Sequence, residues 1–286
     1  MFRTAFSTVA CPDWTLERAA TAAAEWGYDG VELRTFGYGS ADLACDPALT
    51  AGPKVRRVFS ERGVQTACLA TGVRFDEPIT PPVIGRVIRD TEKSVRQGKA
   101  AVDLAAQIEC PYVRVFGFEF PRGERRKTAV ARIEERLRMV LDGARHTGVK
   151  VVLENGGSFP RAADLADVID RIASPLLGAA YSAPVAFAAG EDPAEGAREL
   201  GGRLWVAKLK DYSGGVPCPL GQGDVPCAAF VRSLAERGFA GWLVCEWDRL
   251  WLPDLVPAEA VLPSAVKRVY EWAGAGAAPR AVPQHA

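Results

Sequence analysis

Histidine is almost missing from this chain, with only His146 and His285 among 286 residues. No set of imidazoles is therefore available to build a histidine-rich zinc cluster of the kind used in metal-dependent nucleases. Cysteine is present but unorganised: the 7 residues, Cys11, Cys45, Cys68, Cys110, Cys218, Cys227 and Cys245, are odd in number, with no Cys-x-x-Cys pair and no histidine at ligand spacing. They are expected to be reduced thiols, several packed in strands, in a cytoplasmic protein. An excess of either charge is also lacking, since Lys+Arg and Asp+Glu both number 35. That balance removes the net field that would draw in nucleic acid or an anionic membrane, and neither is expected as a partner. No apolar run is long enough to span a bilayer. Met1 to Ser7 enters a strand pattern without the basic start, apolar core and small-residue cleavage site of a signal peptide. A Gly-x-Gly-x-x-Gly turn after the first strand and a Walker-type loop are both missing, which counts against an open nucleotide-binding sheet.

What the chain does have is a series of short apolar runs that end in charged residues. Gly30-Val31-Glu32-Leu33-Arg34, Tyr112-Val113-Arg114-Val115-Phe116, Val149 to Glu154, Leu204 to Asp211 and Trp242 to Trp247 all follow this pattern. Continuous apolar runs bounded by turn residues read as strands buried on both faces, as in a parallel sheet. Between them lie helical patterns: Trp14 to Trp26, Gly52 to Arg62, Pro82 to Ile108, Arg125 to His146, Arg161 to Ile172, Asp192 to Leu200, Cys227 to Arg237 and Ala258 to Trp272. With strands at Phe2–Ser7, Val64–Leu69 and Leu176–Ser182 added, about eight strand–helix units with no break in composition predict a (β/α)8 TIM barrel. Residues 1–273 are expected to form this one domain, and 274–286, rich in Ala, Gly and Pro, a disordered tail. Charged groups at the C-terminal strand ends then converge on one face of the barrel, where such folds carry their sites.

The segments Trp26 to Leu33, Val149 to Asn155, Ala189 to Pro193, Leu209-Lys210-Asp211, Leu220 to Val225 and Glu246 resemble, in order and spacing across nearly the whole chain, the xylose isomerase-like TIM barrels. That superfamily includes sugar isomerases and epimerases, inosose dehydratases and abasic-site endonucleases. In its epimerase-like members a divalent metal is held by a glutamate ending strand five, an aspartate ending strand six, a histidine on strand seven and a glutamate ending strand eight. The resemblance places these on Glu154, Ser182, Lys208 and Glu246, so the two glutamates match while the aspartate and the histidine do not. Two further histidine positions fall on Gly156 and Val185. Serine is a poor ligand for such metals and a protonated lysine is none, so no cofactor is expected. Mn, Mg, Zn or Co on Glu154 and Glu246 is the alternative. Endonuclease chemistry is excluded with the histidines.

Lys208 is expected to place an ammonium between Glu154 and Glu246, which would resist joint ionisation without a cation. The resemblance implies that the two glutamates exchange a proton with the carbon beside a carbonyl, and Lys208 would steady the developing enolate oxygen. A Schiff base on Lys208 and a purely structural ion network are the competing readings. A register shift of one residue on strand seven would instead bring Ala207 and Leu209 to the site. Arg34 and Arg114 are candidates to clamp a substrate carboxylate or phosphate, or to pair with Glu32 and Glu119. Asn155 and Ser182 are candidate substrate contacts, and Trp247, Phe116 and Tyr181 candidate apolar walls. Lys210 is expected to point out of the barrel interior. The segment Glu246 to Leu252 is expected over the mouth as a lid or an oligomer contact, and a homodimer is the expected assembly. The expected function is proton-transfer isomerisation, epimerisation or dehydration of a small carbohydrate-like carbonyl compound; a non-catalytic binder that keeps the pocket is the alternative.

Overall fold

The computed structural model describes residues 2–37, 43–78 and 92–274. Eight parallel strands close into a barrel: β1 Arg3–Ser7, β2 Gly30–Arg34, β3 Gln65–Arg74, β4 Tyr112–Phe116, β5 Lys150–Glu154, β6 Leu177–Ser182, β7 Leu204–Leu209 and β8 Trp242–Cys245. Each pairs with its neighbours in sequence and β8 closes on β1, as the sequence pattern predicts. Around the barrel lie α1 Leu16–Trp26, α2 Gly52–Ser60, α3 Lys93–Gln107, α4 Arg126–Ala144, α5 Ala162–Ile172, α6 Ala183–Ala188, α7 Pro193–Leu200, α8 Cys227–Glu236 and α9 Ala258–Ala273. The expected helix start at Pro82 and the expected tail beyond Gly274 lie outside the described residues. No described helix is long and apolar enough to cross a membrane.

Local chemistry sets these boundaries. Thr15 caps α1 by accepting from the Arg18 amide, and Gly27 ends the helix at φ +84°, a conformation that costs glycine little. Asp192 caps α7 through the Ala194 amide. Two elements go beyond the sequence reading. The six-residue α6 follows Ser182 directly, and Asp211–Ser213 pairs with Val216–Cys218 in a small antiparallel hairpin. Its turn is Gly214-Gly215, both at positive φ, as a two-residue hairpin requires.

Strand alternation divides the core in two. Val31, Leu33, Val113, Val115, Leu153, Tyr181, Ala207 and Leu209 face the helices. Inside the barrel sit Ala5, Ala67, Cys68, Val152, Ala180, Val206, Trp242 and Val244. The floor is aromatic, and two glycines make room for it. A Cβ on Gly30 would meet the Trp242 ring at 2.8 Å, and one on Gly178 would meet the Trp205 ring at 2.3 Å. Arg3 and Lys150 stack over these indoles at 4.2 and 4.9 Å from the ring centroids. With the floor filled and the middle layer small and apolar, the next inward position on each strand is at the mouth.

Candidate active site

The inward positions at the mouth are charged. Along β2, β5 and β7 the residue two beyond the middle layer is Glu32, Glu154 and Lys208, and Glu246 follows β8 with the same parity. Lys208 is 1% exposed and points inward, which settles the register in its favour over Ala207 and Leu209. Its Nζ lies 2.9 Å from Glu246 Oε1, 3.0 Å from Glu154 Oε2 and 3.1 Å from Glu32 Oε1. The contacts to Glu246 and Glu32 are aligned hydrogen bonds donated by the ammonium. Glu154 Oε2 receives no aligned hydrogen bond, so its contact is electrostatic. Arg114 adds a second positive charge, with Nε 3.3 Å from the same oxygen.

Electrostatics follow from burial and these pairings. Burial opposes the Lys208 charge, but the carboxylates of Glu154, Glu246 and Glu32 outweigh it and hold its pKa above the ordinary lysine range. A neutral amine for Schiff-base chemistry is thereby disfavoured. Burial would raise Glu246, yet Lys208 and Lys210 hold its carboxyl well below the usual range. Glu32 goes the other way: burial raises it, Lys208 only partly offsets this, and the nearby glutamates add to the rise. Arg114 is held above its ordinary value because Glu154, Glu32 and Glu246 overcome its burial. Burial brings Arg34 down to about 10, with the Arg114 charge adding to the effect.

Glu32 is the member of the charged cluster that the sequence reading passed over except as a partner for Arg34. The signal was available, since strand β2 alternates and Glu32 stands two before the strand-end Arg34. Lys210 overturns an expectation. It lies two residues beyond Lys208, and a period of two puts both on the same side, so its Nζ sits 3.4 Å from Glu246 Oε2 and 3.0 Å from Asp248 Oδ1. Its side chain is 19% exposed, more than the other charged groups of the cluster. Tyr212 donates its hydroxyl to Asp248 Oδ2 at 2.5 Å.

Other expected contacts have different work. Asn155 donates to the Pro160 and Ser182 carbonyls at 3.0 and 3.1 Å and accepts from the Ser182 amide at 2.6 Å, so its carboxamide laces β5 to β6. Ser182 lies buried beside Lys208 in the β6–β7 register. Arg34 donates to the Thr71 carbonyl at 2.9 Å and covers the Phe36 ring, rather than forming a free clamp. Tyr181 faces the helices and donates to Glu191, so it is no wall of the mouth. Trp247 is 4% exposed, with its indole donating to the Val256 carbonyl, which takes it out of reach of a substrate. Phe116 stays at the strand end, half-buried and covered by the Arg114 guanidinium. Trp251, 55% exposed and with its ring centroid 6.0 Å from Lys210 Nζ, is the indole near the charged groups that solvent reaches. The segment from Glu246 is tied down, since Leu250 donates to the Val9 carbonyl.

Asp211 explains the glycines of Leu220 to Val225. Its carboxylate accepts from the amides of Tyr212, Gly221, Gly223 and Val225 at 2.8–3.1 Å. Those amides are therefore spent on the loop and cradle no phosphate. Asp211→Asn keeps the shape but turns a donor toward amide donors. It is expected to cost about 1–3 kcal/mol and to speed hydrogen exchange at Gly221 and Gly223. Unchanged protection at both amides would contradict this account.

A cavity of about 870 Å3 lies beside this cluster and not over it, lined by Thr35, Thr71, Gly72, Ala101 and Leu104 among others. Its lining follows the ends of strands β2 and β3, whereas the charged groups that meet at Lys208 come from β2, β4, β5, β7 and the end of β8. The charged cluster itself is the better candidate, because acid–base groups converge there and the cavity lining offers none of comparable burial.

A closed eight-stranded parallel barrel with helices between its strands is a (β/α)8 TIM barrel, and its carboxylates and ammonium groups gather at the C-terminal mouth. A family model described as xylose isomerase-like TIM barrel matches residues 20–271, and the chain belongs to that family. No curated protein matches the chain. Among solved structures it is similar to L-ribulose 3-epimerase, at TM-score 0.78 and 16% identity over 96% of this chain and 95% of that one. It is also similar to the IOLI protein with a binding zinc atom, at 0.77 and 16% over 95% and 98%. A third is the probable 3-DHS dehydratase AsbF of petrobactin synthesis from Bacillus anthracis, at 0.74 and 14% over 93% and 98%. At these identities the likeness is one of fold.

The family implies a divalent metal, and the side chains here do not fit one. The Lys208 ammonium, which has no lone pair to offer, stands within 3.1 Å of three carboxylates. Among the described residues no group of three or more His, Cys, Asp or Glu is arranged to hold a metal ion.

Proposed function

We propose that this protein catalyses proton transfer at the carbon beside a carbonyl, in isomerisation, epimerisation or dehydration of a small polyhydroxylated compound. The observation that carries the reading is the buried Lys208 ammonium joined to Glu154 and Glu246 at the barrel mouth. One glutamate takes the proton from carbon and the electron pair moves into the carbonyl to give an enolate oxygen; that protonated glutamate then returns the proton to carbon, or to the departing hydroxyl in a dehydration, and inversion at carbon requires that the other glutamate has first taken a proton from solvent. Lys208 keeps the two carboxylates ionised side by side. Lys210, the more exposed ammonium, is the cation that an incoming substrate oxygen meets from the mouth. Neighbours of the same fold include L-ribulose 3-epimerase and a probable dehydratase, which supports carbonyl compounds of this class.

The test is hydrogen exchange. Chelator-treated protein is incubated in heavy water with a panel of ketoses and cyclic polyhydroxy ketones, and deuterium beside the carbonyl is followed by NMR. The expected result is incorporation that Glu246→Gln lowers by about 100-fold or more. Tight binding of a panel member with no incorporation from any would sink catalysis and favour a binding protein that keeps the pocket. The expected homodimer and cytoplasmic setting stand beside this proposal, and gel filtration with light scattering decides the first.

A further inference from the structure

We propose that the Lys208 ammonium is a resident cation that keeps divalent metals out of the barrel mouth, and that Glu32, Glu154 and Glu246 make a latent site for a hard divalent cation once that ammonium is removed. This rests on the proposed function only for which end of the barrel holds the site.

Three carboxylates from different parts of the barrel, β2, β5 and the end of β8, each bring an oxygen to within 3.1 Å of one nitrogen. As they stand these carboxylates are not arranged to hold a metal ion, but all three face one centre, the nitrogen that Lys208 puts between them. A Mg2+ or Mn2+ at that centre would draw them in by about 1 Å, since such ions bind oxygen at roughly 2.1 Å. Donor capacity is in reserve: Glu32 is fully buried, and its Oε2 has no hydrogen-bond partner among the described residues. Glu154 Oε2 likewise lacks an aligned donor. All three donors are carboxylate oxygens, which selects a hard cation over one that prefers imidazole or thiolate. With Lys208 present, a divalent ion at the centre would have to share it with a positive charge, so occupancy by one excludes the other. Arg114 beside Glu154 and Lys210 beside Glu246 remain in either case and hold those two carboxylates when Lys208 is gone, while Glu32 is fixed by its burial on β2.

The experiment uses the full chain after chelation, as wild type, Lys208→Ala, Lys208→Gln and Lys208→Ala with Glu32→Gln. Each is titrated with Mn2+, free Mn2+ is read by electron paramagnetic resonance, and melting is followed at each concentration. Wild type is expected to take up no stoichiometric Mn2+ and to melt at an unchanged temperature. Lys208→Ala is expected to bind near-stoichiometric Mn2+ with a melting temperature that climbs with concentration, and Glu32→Gln in that background to weaken binding by about tenfold or more. Near-stoichiometric Mn2+ on wild type that Glu154→Gln abolishes would overturn the proposal. So would the absence of a metal-dependent rise in both Lys208 variants, whether folded or not, because a formed site would stabilise the fold. Neither readout depends on turnover, so failure of the heavy-water exchange leaves this result standing, and the reverse holds too.

Discussion

Lys208→Ala should lose about 3–5 kcal/mol of folding stability, because taking one partner from a buried ion cluster leaves its opposite charges uncompensated. Three carboxylates face Lys208, and Glu32 has no exposure through which water could replace the ammonium. The pH dependence separates this cause from lost packing. In wild type the Lys208 pKa is raised, so its contribution is complete below the ordinary lysine value and fades as pH rises through the folded value. The Glu246 pKa is depressed, so its contribution is complete above the ordinary glutamate value and is lost as pH falls through the folded value. Glu32 has the opposite sign: its raised pKa makes its ionised form a cost above the ordinary glutamate range, relieved on acidification. Wild type should therefore be flat from just above the raised Glu32 titration up to roughly pH 10, with Glu32 alone adding stability as pH falls through that titration. Lys208→Ala, with more carboxylate charge than it can neutralise, should become more stable as pH falls from 8 to 5. Urea melts across that range are the measurement. A loss under about 1 kcal/mol with a pH profile parallel to wild type would show that the cluster is not held by its ammonium.

The second large effect is at the other end of the barrel. Trp242→Ala is expected to cost about 3–5 kcal/mol, since the ring is fully buried and fills the floor between Gly30 and the layer above. Its indole N–H has no hydrogen-bond partner among the described residues. Trp242→Phe should thus cost far less than alanine, losing part of the volume but no hydrogen bond. Equal losses from Phe and Ala in chemical denaturation would mean that the N–H, rather than the ring's bulk, holds the floor.

The barrel was legible in the sequence because its strands are short apolar runs with glycine, proline or polar residues at their ends, and because a closed parallel sheet needs no long-range pairing rule beyond chain order. Helix α6 was not, since six residues beginning Ala183-Pro184 give too little period to distinguish from a loop. Strand β3 extends past Leu69 to Arg74 through Thr71-Gly72, a pair that reads as a turn until its neighbours are in place. In the charged cluster, strand-end position is what brought Glu154, Lys208 and Glu246 to notice together. Glu32 was hidden because a carboxylate beside an arginine in sequence invites a local pair, when alternation sends it to a lysine 176 residues away. Trp247 misled for the converse reason. An aromatic following a strand-end glutamate looks like a wall of the mouth, but its indole is held by Val256 and the exposed ring belongs to Trp251.

The single nitrogen of Lys208 also bears on how the barrel could be divided. The chain up to β4 supplies Glu32 and Arg114, and the chain from β5 onward supplies Glu154, Lys208 and Glu246. Cut at that boundary, the second half keeps Glu154 without Arg114, and the first keeps a glutamate whose one hydrogen bond among the described residues crossed the cut. The two halves are therefore not interchangeable modules: each is completed by charge that only the other carries, and a half-barrel swapped in from a relative would have to bring a matching set.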